Sequence, residues 1–112
     1  MANDSFLTPT QSWPASQPRE PKSVLLATEV NFGMLITGYL SAAAFDTHLN
    51  CLIGVVFRDS RCRFEDGAFI RTSSVERRWE QEGYTLFRTF SGSNYVVCDW
   101  TLQEMGSRFS HH

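Results

Sequence analysis

A histidine at position 48 and a cysteine at position 62, the latter between Arg61 and Arg63, are the nearest thing in this chain to a nucleophilic pair. A thiolate is the attacking form of cysteine, neighbouring guanidinium groups favour it, and an imidazole can take up the proton. Such a pair also needs a third group to orient the base, and no spacing supplies one. Glu65 and Asp66 could serve as general acid and base, but adjacent residues on extended backbone point to opposite faces and do not meet across one bond. No C-x-x-C or H-E-x-x-H spacing offers a metal site. Ser91-Gly92-Ser93-Asn94 has one glycine and runs into a strand, so it is no phosphate loop. The residues therefore assign no catalytic, cofactor-binding or metal-binding position, and neither an enzyme nor a cofactor is expected.

Recognition chemistry is better represented. Nine of the ten basic residues are arginine, and seven lie between Arg58 and Arg88: Arg58, Arg61, Arg63, Arg71, Arg77, Arg78 and Arg88. Asp59, Glu65, Asp66, Glu76, Glu80 and Glu82 share that segment, so its local balance is only +1. Solvated ion pairs on a β surface account for this pattern. An interaction surface made of the seven arginines is the competing reading, because a guanidinium makes bidentate and stacking contacts that an ammonium cannot. Phe69, Tyr84, Phe87, Phe90 and Tyr95 could stack on bases if exposed beside positive charge. A small domain needs most of them in its core. The whole-chain charge of −2 gives no basic excess for a phosphate backbone either.

The 112 residues fit one domain. Residues 1–22 hold all four prolines among Ser, Thr, Gln and Asn, and read as a flexible N-terminal arm. Phe6, Leu7 and Trp13 are unusual in such an arm and leave open whether it docks. Residues 23–109 form the globular domain, and 110–112 a tail resembling the remnant of a purification tag. Fifteen aromatic residues (nine Phe, three Tyr, three Trp) give a core without staples. Three cysteines (Cys51, Cys62 and Cys98) are an odd count without paired spacing, which argues against a disulfide framework. No secretory pattern opens the chain, and its longest apolar stretch, 34–45, is too broken to span a bilayer. A cytoplasmic protein with reduced thiols and no membrane contact is expected.

Those side chains must be carried by short strands. The pattern predicts strands over about 24–30 and 34–40, then 51–57, 68–73, 84–90 and 94–101. Residues 74–81 fit either a helical turn or an irregular strand. Turns are expected at 46–50, 59–61, Asp66-Gly67, Glu82-Gly83 and 91–93. Gly54, inside an apolar run, marks a close backbone approach or kink. The fold class is mostly β: a small barrel-like or strongly bent antiparallel sheet of five to six strands. The alternative is α+β with one short helix near 38–46, where three alanines favour a helix and Gly38 opposes it.

The stretch Gly54-Val-Val-Phe-Arg-Asp-Ser-Arg-Cys-Arg-Phe-Glu-Asp-Gly-Ala-Phe-Ile-Arg-Thr-Ser-Ser-Val75, followed by Arg88-Thr-Phe-Ser-Gly-Ser-Asn-Tyr-Val-Val97, resembles a class of small bacterial and phage-associated proteins. They share the order Asp, Arg-Phe, Asp-Gly, Arg-Thr-Ser, then a hairpin ending in Ser/Asn-x-Tyr; Cys62 stands where a glycine often precedes Arg-Phe. The resemblance implies membership and a bacterial or mobile-element origin, and it carries no activity. On the residues themselves, Thr89 and Tyr95 are expected to face one another across the hairpin. The leading expectation is a non-catalytic module that binds another protein. Single-stranded nucleic-acid binding and a small enzyme using Cys62 are the alternatives, and the oligomeric state is open.

Overall fold

The computed structural model describes residues 20–101. A helix, α1 (Lys22–Thr28), leads into six strands: β1 (Gly38–Asp46), β2 (Cys51–Phe57), β3 (Ala68–Arg71), β4 (Val75–Gln81), β5 (Tyr84–Thr89) and β6 (Asn94–Val97). They form one sheet in the order β3-β2-β1-β6-β5-β4. Each meander, β1-β2-β3 and β4-β5-β6, is antiparallel, and the two join where β1 and β6 run parallel. The fold is mostly β, as expected. The sheet is mixed rather than wholly antiparallel, and it does not close into a barrel.

It is strongly bent, and the chain shows why. β3 and β4 are opposite edges, yet only Thr72, Ser73 and Ser74 separate them. From Arg71 to Val75 the chain can span about 14 Å, whereas a flat sheet of this order would put about 24 Å between its edges. The sheet must curl until the edges meet at this corner. Backbone bonds from Thr72 N to Leu52 O (2.9 Å), Val75 N to Asn50 O (2.7 Å) and Phe90 N to Ser74 O (2.8 Å) hold it there.

The inner face of the bend buries Leu40, Leu52, Val56, Ile70, Phe87, Tyr95 and Val97. Phe87 stacks on Phe45 (6.0 Å between centroids) and meets the edge of Trp100 (6.2 Å). On the outer face Leu86 and Val96 lie under Ala27 of α1 and Phe32, flanked by Tyr39, Trp79 and Tyr84. Strands covered on both faces lose simple alternation, so apolar residues follow one another at Leu86-Phe87 in β5 and Tyr95-Val96-Val97 in β6.

Four expectations need correction. The segment 24–30 is helix, not strand, over most of its length: Pro21 sits at the N-cap, and Val24 and Ala27, three apart, bury one stripe while Leu25 and Leu26 stay exposed. The run 34–40 becomes strand only from Gly38. The alternative helix near 38–46 is β1, whose alanines form a bulge between Ser41 and Ala44 with Ala42 at φ 52°. Gly54 lies directly beneath it, and a Cβ there would meet Ala43 Cα and Ser41 O, each at 3.3 Å. The close approach expected at Gly54 is therefore present. Finally, the residue opposite Tyr95 is Phe87, not Thr89, which instead bonds Ser93 O through its amide at 2.8 Å.

Residues 74–81 are extended for nearly their whole length, as β4. Gly67 has φ 92°, as its Asp-Gly turn requires. Of the proline-rich arm, residues 1–19 lie outside the described residues, as do 102–112, which include the proposed tail. Glu20 to Lys22 adjoin the fold: Glu20 accepts two bonds from Arg58 (2.7 and 2.9 Å), and α1 begins at Lys22. No helix among the described residues is long and apolar enough to cross a membrane.

Candidate interaction surface

The loop between β2 and β3 carries three of the seven arginines and is organised by one carboxylate. Asp59 has a side chain only 1 % exposed. It accepts the backbone N–H groups of Arg61 (3.3 Å), Arg63 (2.7 Å) and Phe64 (3.0 Å). Burial pushes its pKa up, but those N–H groups and the Arg63 guanidinium more than offset this and hold it below the usual carboxylate range. Arg63 lies 3.6 Å from Asp59, donates to Tyr95 Oη at 3.1 Å and stacks over Phe64. Arg61 donates to Ser93 Oγ at 3.0 Å, and Arg58 is clamped on Glu20. These guanidinium groups tie the loop to β6 and to the start of α1.

Of the other four arginines, Arg77 and Arg88 are cross-strand partners on β4 and β5, while Arg71 and Arg78 lie apart from them. Arg77 and Arg78 are neighbours on β4 and alternate between faces: Arg77 stacks on Trp79 of the outer face and Arg78 on Phe87 of the inner one. Arg88 reaches Glu76 at 3.7 Å. Arg71 ends β3 and is exposed. The sequence proposed all seven as one surface; the fold does not gather them into a single track.

The nucleophilic pair is not assembled. His48 lies in the β1–β2 turn and Cys62 in the β2–β3 loop, at opposite ends of β2, about 20 Å apart along that strand. Burial, with Asp99 and Glu20 nearby, pushes the Cys98 thiol up to about 12, so it stays protonated at neutral pH. Burial likewise raises the buried Cys51 thiol. Asp99 is engaged structurally: it accepts from Ser23 Oγ of α1, from Ser41 Oγ and from the Ala42 amide at 2.7 Å, so it holds the helix and the bulge together. Among the described residues no three of His, Cys, Asp and Glu cluster to hold a metal ion.

Phe87 and Tyr95 are core, Tyr84 is half-buried against Phe32, and Phe69 and Phe90 are 72 % and 79 % exposed. Phe69 sits mid-strand on β3, an edge of the sheet. Its outward neighbours are Ile53 and Val55 of β2, both half-buried, and Arg71. Among the described residues α1 makes its main contacts with β1, away from this part of the outer face. Ile53, Phe69, Ile70 and Arg71 line an open groove of about 280 Å³ that reaches around the edge. Thr72 donates its amide to Leu52 O, which sets the phase of the ladder: Ile70's backbone groups turn towards β2, and those of Phe69 and Arg71 turn outward.

Sequence reasoning grouped Phe69 with rings needed in the core. The signal that distinguishes it is the pair Phe69-Ile70 after a fixed turn at Gly67. On a short strand only one of two adjacent apolar residues can face inward, and Ile70 takes that place at 6 % exposure. Compared with protein-family models, with curated proteins and with solved structures, the chain matches none.

Proposed function

We propose that this domain is a non-catalytic protein-interaction module of a bacterium or its mobile elements, acting in the cytoplasm, and that it meets its partner along the edge and outer face of β3. The observation that carries this reading is Phe69, 72 % exposed in a largely apolar groove on an edge strand that is unpaired among the described residues. An edge strand offers backbone donors and acceptors to an added strand, and a neighbouring pocket for its side chains supplies selectivity. The opposite edge, β4, reads Val-Glu-Arg-Arg-Trp-Glu-Gln and is guarded by charge. β3 reads Ala-Phe-Ile-Arg and carries its one charge only at the end. Three unpaired cysteines suit a reducing compartment.

A photo-crosslinking amino acid at position 69, compared with one at Glu82 in the β4–β5 turn, tests the reading in the source cell. Protein adducts are expected from position 69, and adding Arg71→Glu in the same chain should weaken them. Adducts equally abundant from both positions, or absent from position 69, would refute it.

A further inference from the structure

The groove beside Phe69 has a charge pattern of its own. Glu65 stands at the turn leading into β3 and Arg71 at the strand's far end. Both side chains are exposed, and among the described residues neither takes part in a salt bridge. Asp66 adds a second acid beside Glu65, and Gly67 to Ile70 carry no charge. A short apolar edge with an acid at its start and a base at its end is complementary to itself when turned through 180°.

We infer that the partner for this edge is a second copy of the same chain, with the two β3 strands side by side and antiparallel. The inference rests on the reading of β3 as the interaction surface and names who occupies it. Register follows from the ladder phase. Phe69 presents its N–H and C=O outward, so the two-fold pairing that exchanges both bonds sets Phe69 opposite Phe69 of the second copy. Each Arg71 then lies near the acidic start of the other strand, within reach of Glu65. Aromatic rings opposed across an antiparallel pair stabilise it, and so do opposite charges. A two-fold contact uses one patch twice, so it needs no further feature elsewhere on the surface. The contact is small: four residues of edge and one groove fall short of the roughly 1,200 Å² of a standard interface. The dimer is therefore weak and concentration-dependent.

Sedimentation equilibrium of the full chain from about 10 µM to about 1 mM, the range of weak association, decides the matter. The mass should rise from one copy towards two. Arg71→Glu and Glu65→Arg, singly, should each shift the midpoint up by about tenfold, the effect of losing both symmetry-related ion pairs and gaining two repulsions. The double variant carrying both changes should return it to within about threefold of the original. Phe69→Asp should leave a monomer with unchanged circular dichroism. A chain monomeric at the highest concentration overturns the inference, as does a double variant no better than the singles. Monomeric protein whose position 69 still cross-links to a different protein would sink only the self-pairing, whereas no adduct at all would sink the module reading with it.

Discussion

Asp59 gives the sharpest test of how the β2–β3 loop is held. Its carboxylate, 1 % exposed, accepts three backbone N–H groups and faces Arg63. A hydrogen bond to a charged group contributes about 1.5–3 kcal/mol net. Three such bonds are partly offset by the cost of burying the charge, and in the Asp59→Ala variant water can reach some of the freed N–H groups. The expected loss is about 3 kcal/mol, a large part of a small domain's stability, or about 12–24 °C in Tm. Asp59→Asn retains one acceptor oxygen and should lose about half as much. The pH dependence fixes the cause. The folded-state pKa of Asp59 is lowered relative to an unfolded value of about 3.9. The carboxylate's contribution is therefore complete above that unfolded value and is lost as pH falls through the lower, folded one. Urea unfolding of the original chain and of Asp59→Asn between about pH 7 and pH 3 should show a gap that narrows only below about pH 4. A gap constant with pH, or an Asp59→Ala variant within about 0.5 kcal/mol of the original, would refute this account.

Phe87→Ala removes the ring that meets both Phe45 and Trp100 and should cost about 3–5 kcal/mol by chemical denaturation. Gly54→Ala forces a Cβ to 3.3 Å from backbone atoms of the β1 bulge and should cost about 1–3 kcal/mol, with amide shifts at Ser41 and Ala43 in NMR spectra. Gly67→Val places a β-branched residue at φ 92° and should cost at least about 1 kcal/mol in the same denaturation assay.

Local chemistry was legible in the sequence wherever it was sufficient. The turns at Asp66-Gly67 and Glu82-Gly83 follow from residues that accept positive φ, which Glu82 and Gly83 both adopt. β2 and the β5–β6 hairpin follow from apolar, β-branched runs between such turns. The N-terminal helix was hidden because its apolar run, Val24 to Ala27, is too short for period to tell helix from strand, even though Leu25, Leu26 and Ala27 favour helix. Only packing of Ala27 with Leu86 and Val96, far along the chain, selects the helix. The parallel β1–β6 seam leaves no local mark, since nothing in either strand distinguishes a parallel neighbour. Of the candidate surface, Arg71 was legible, and Phe69 was visible as a candidate ring that the sequence did not separate from those expected in the core. The scattering of the other arginines depends on strand phase, which shifts at the bulges in β1 and β4.

The β1–β6 seam has a kinetic consequence. Every other pairing in the sheet joins strands adjacent in the chain, and each can zip from its own turn. The seam sets Tyr39 against Val96 and can form only after nearly the whole described chain has been gathered. Loop-closure entropy makes that the slow event. The molecule therefore folds as two locally nucleated halves that must find one another, and destabilising changes confined to the seam slow refolding, whereas changes at the outer edges of the sheet act mainly by speeding unfolding.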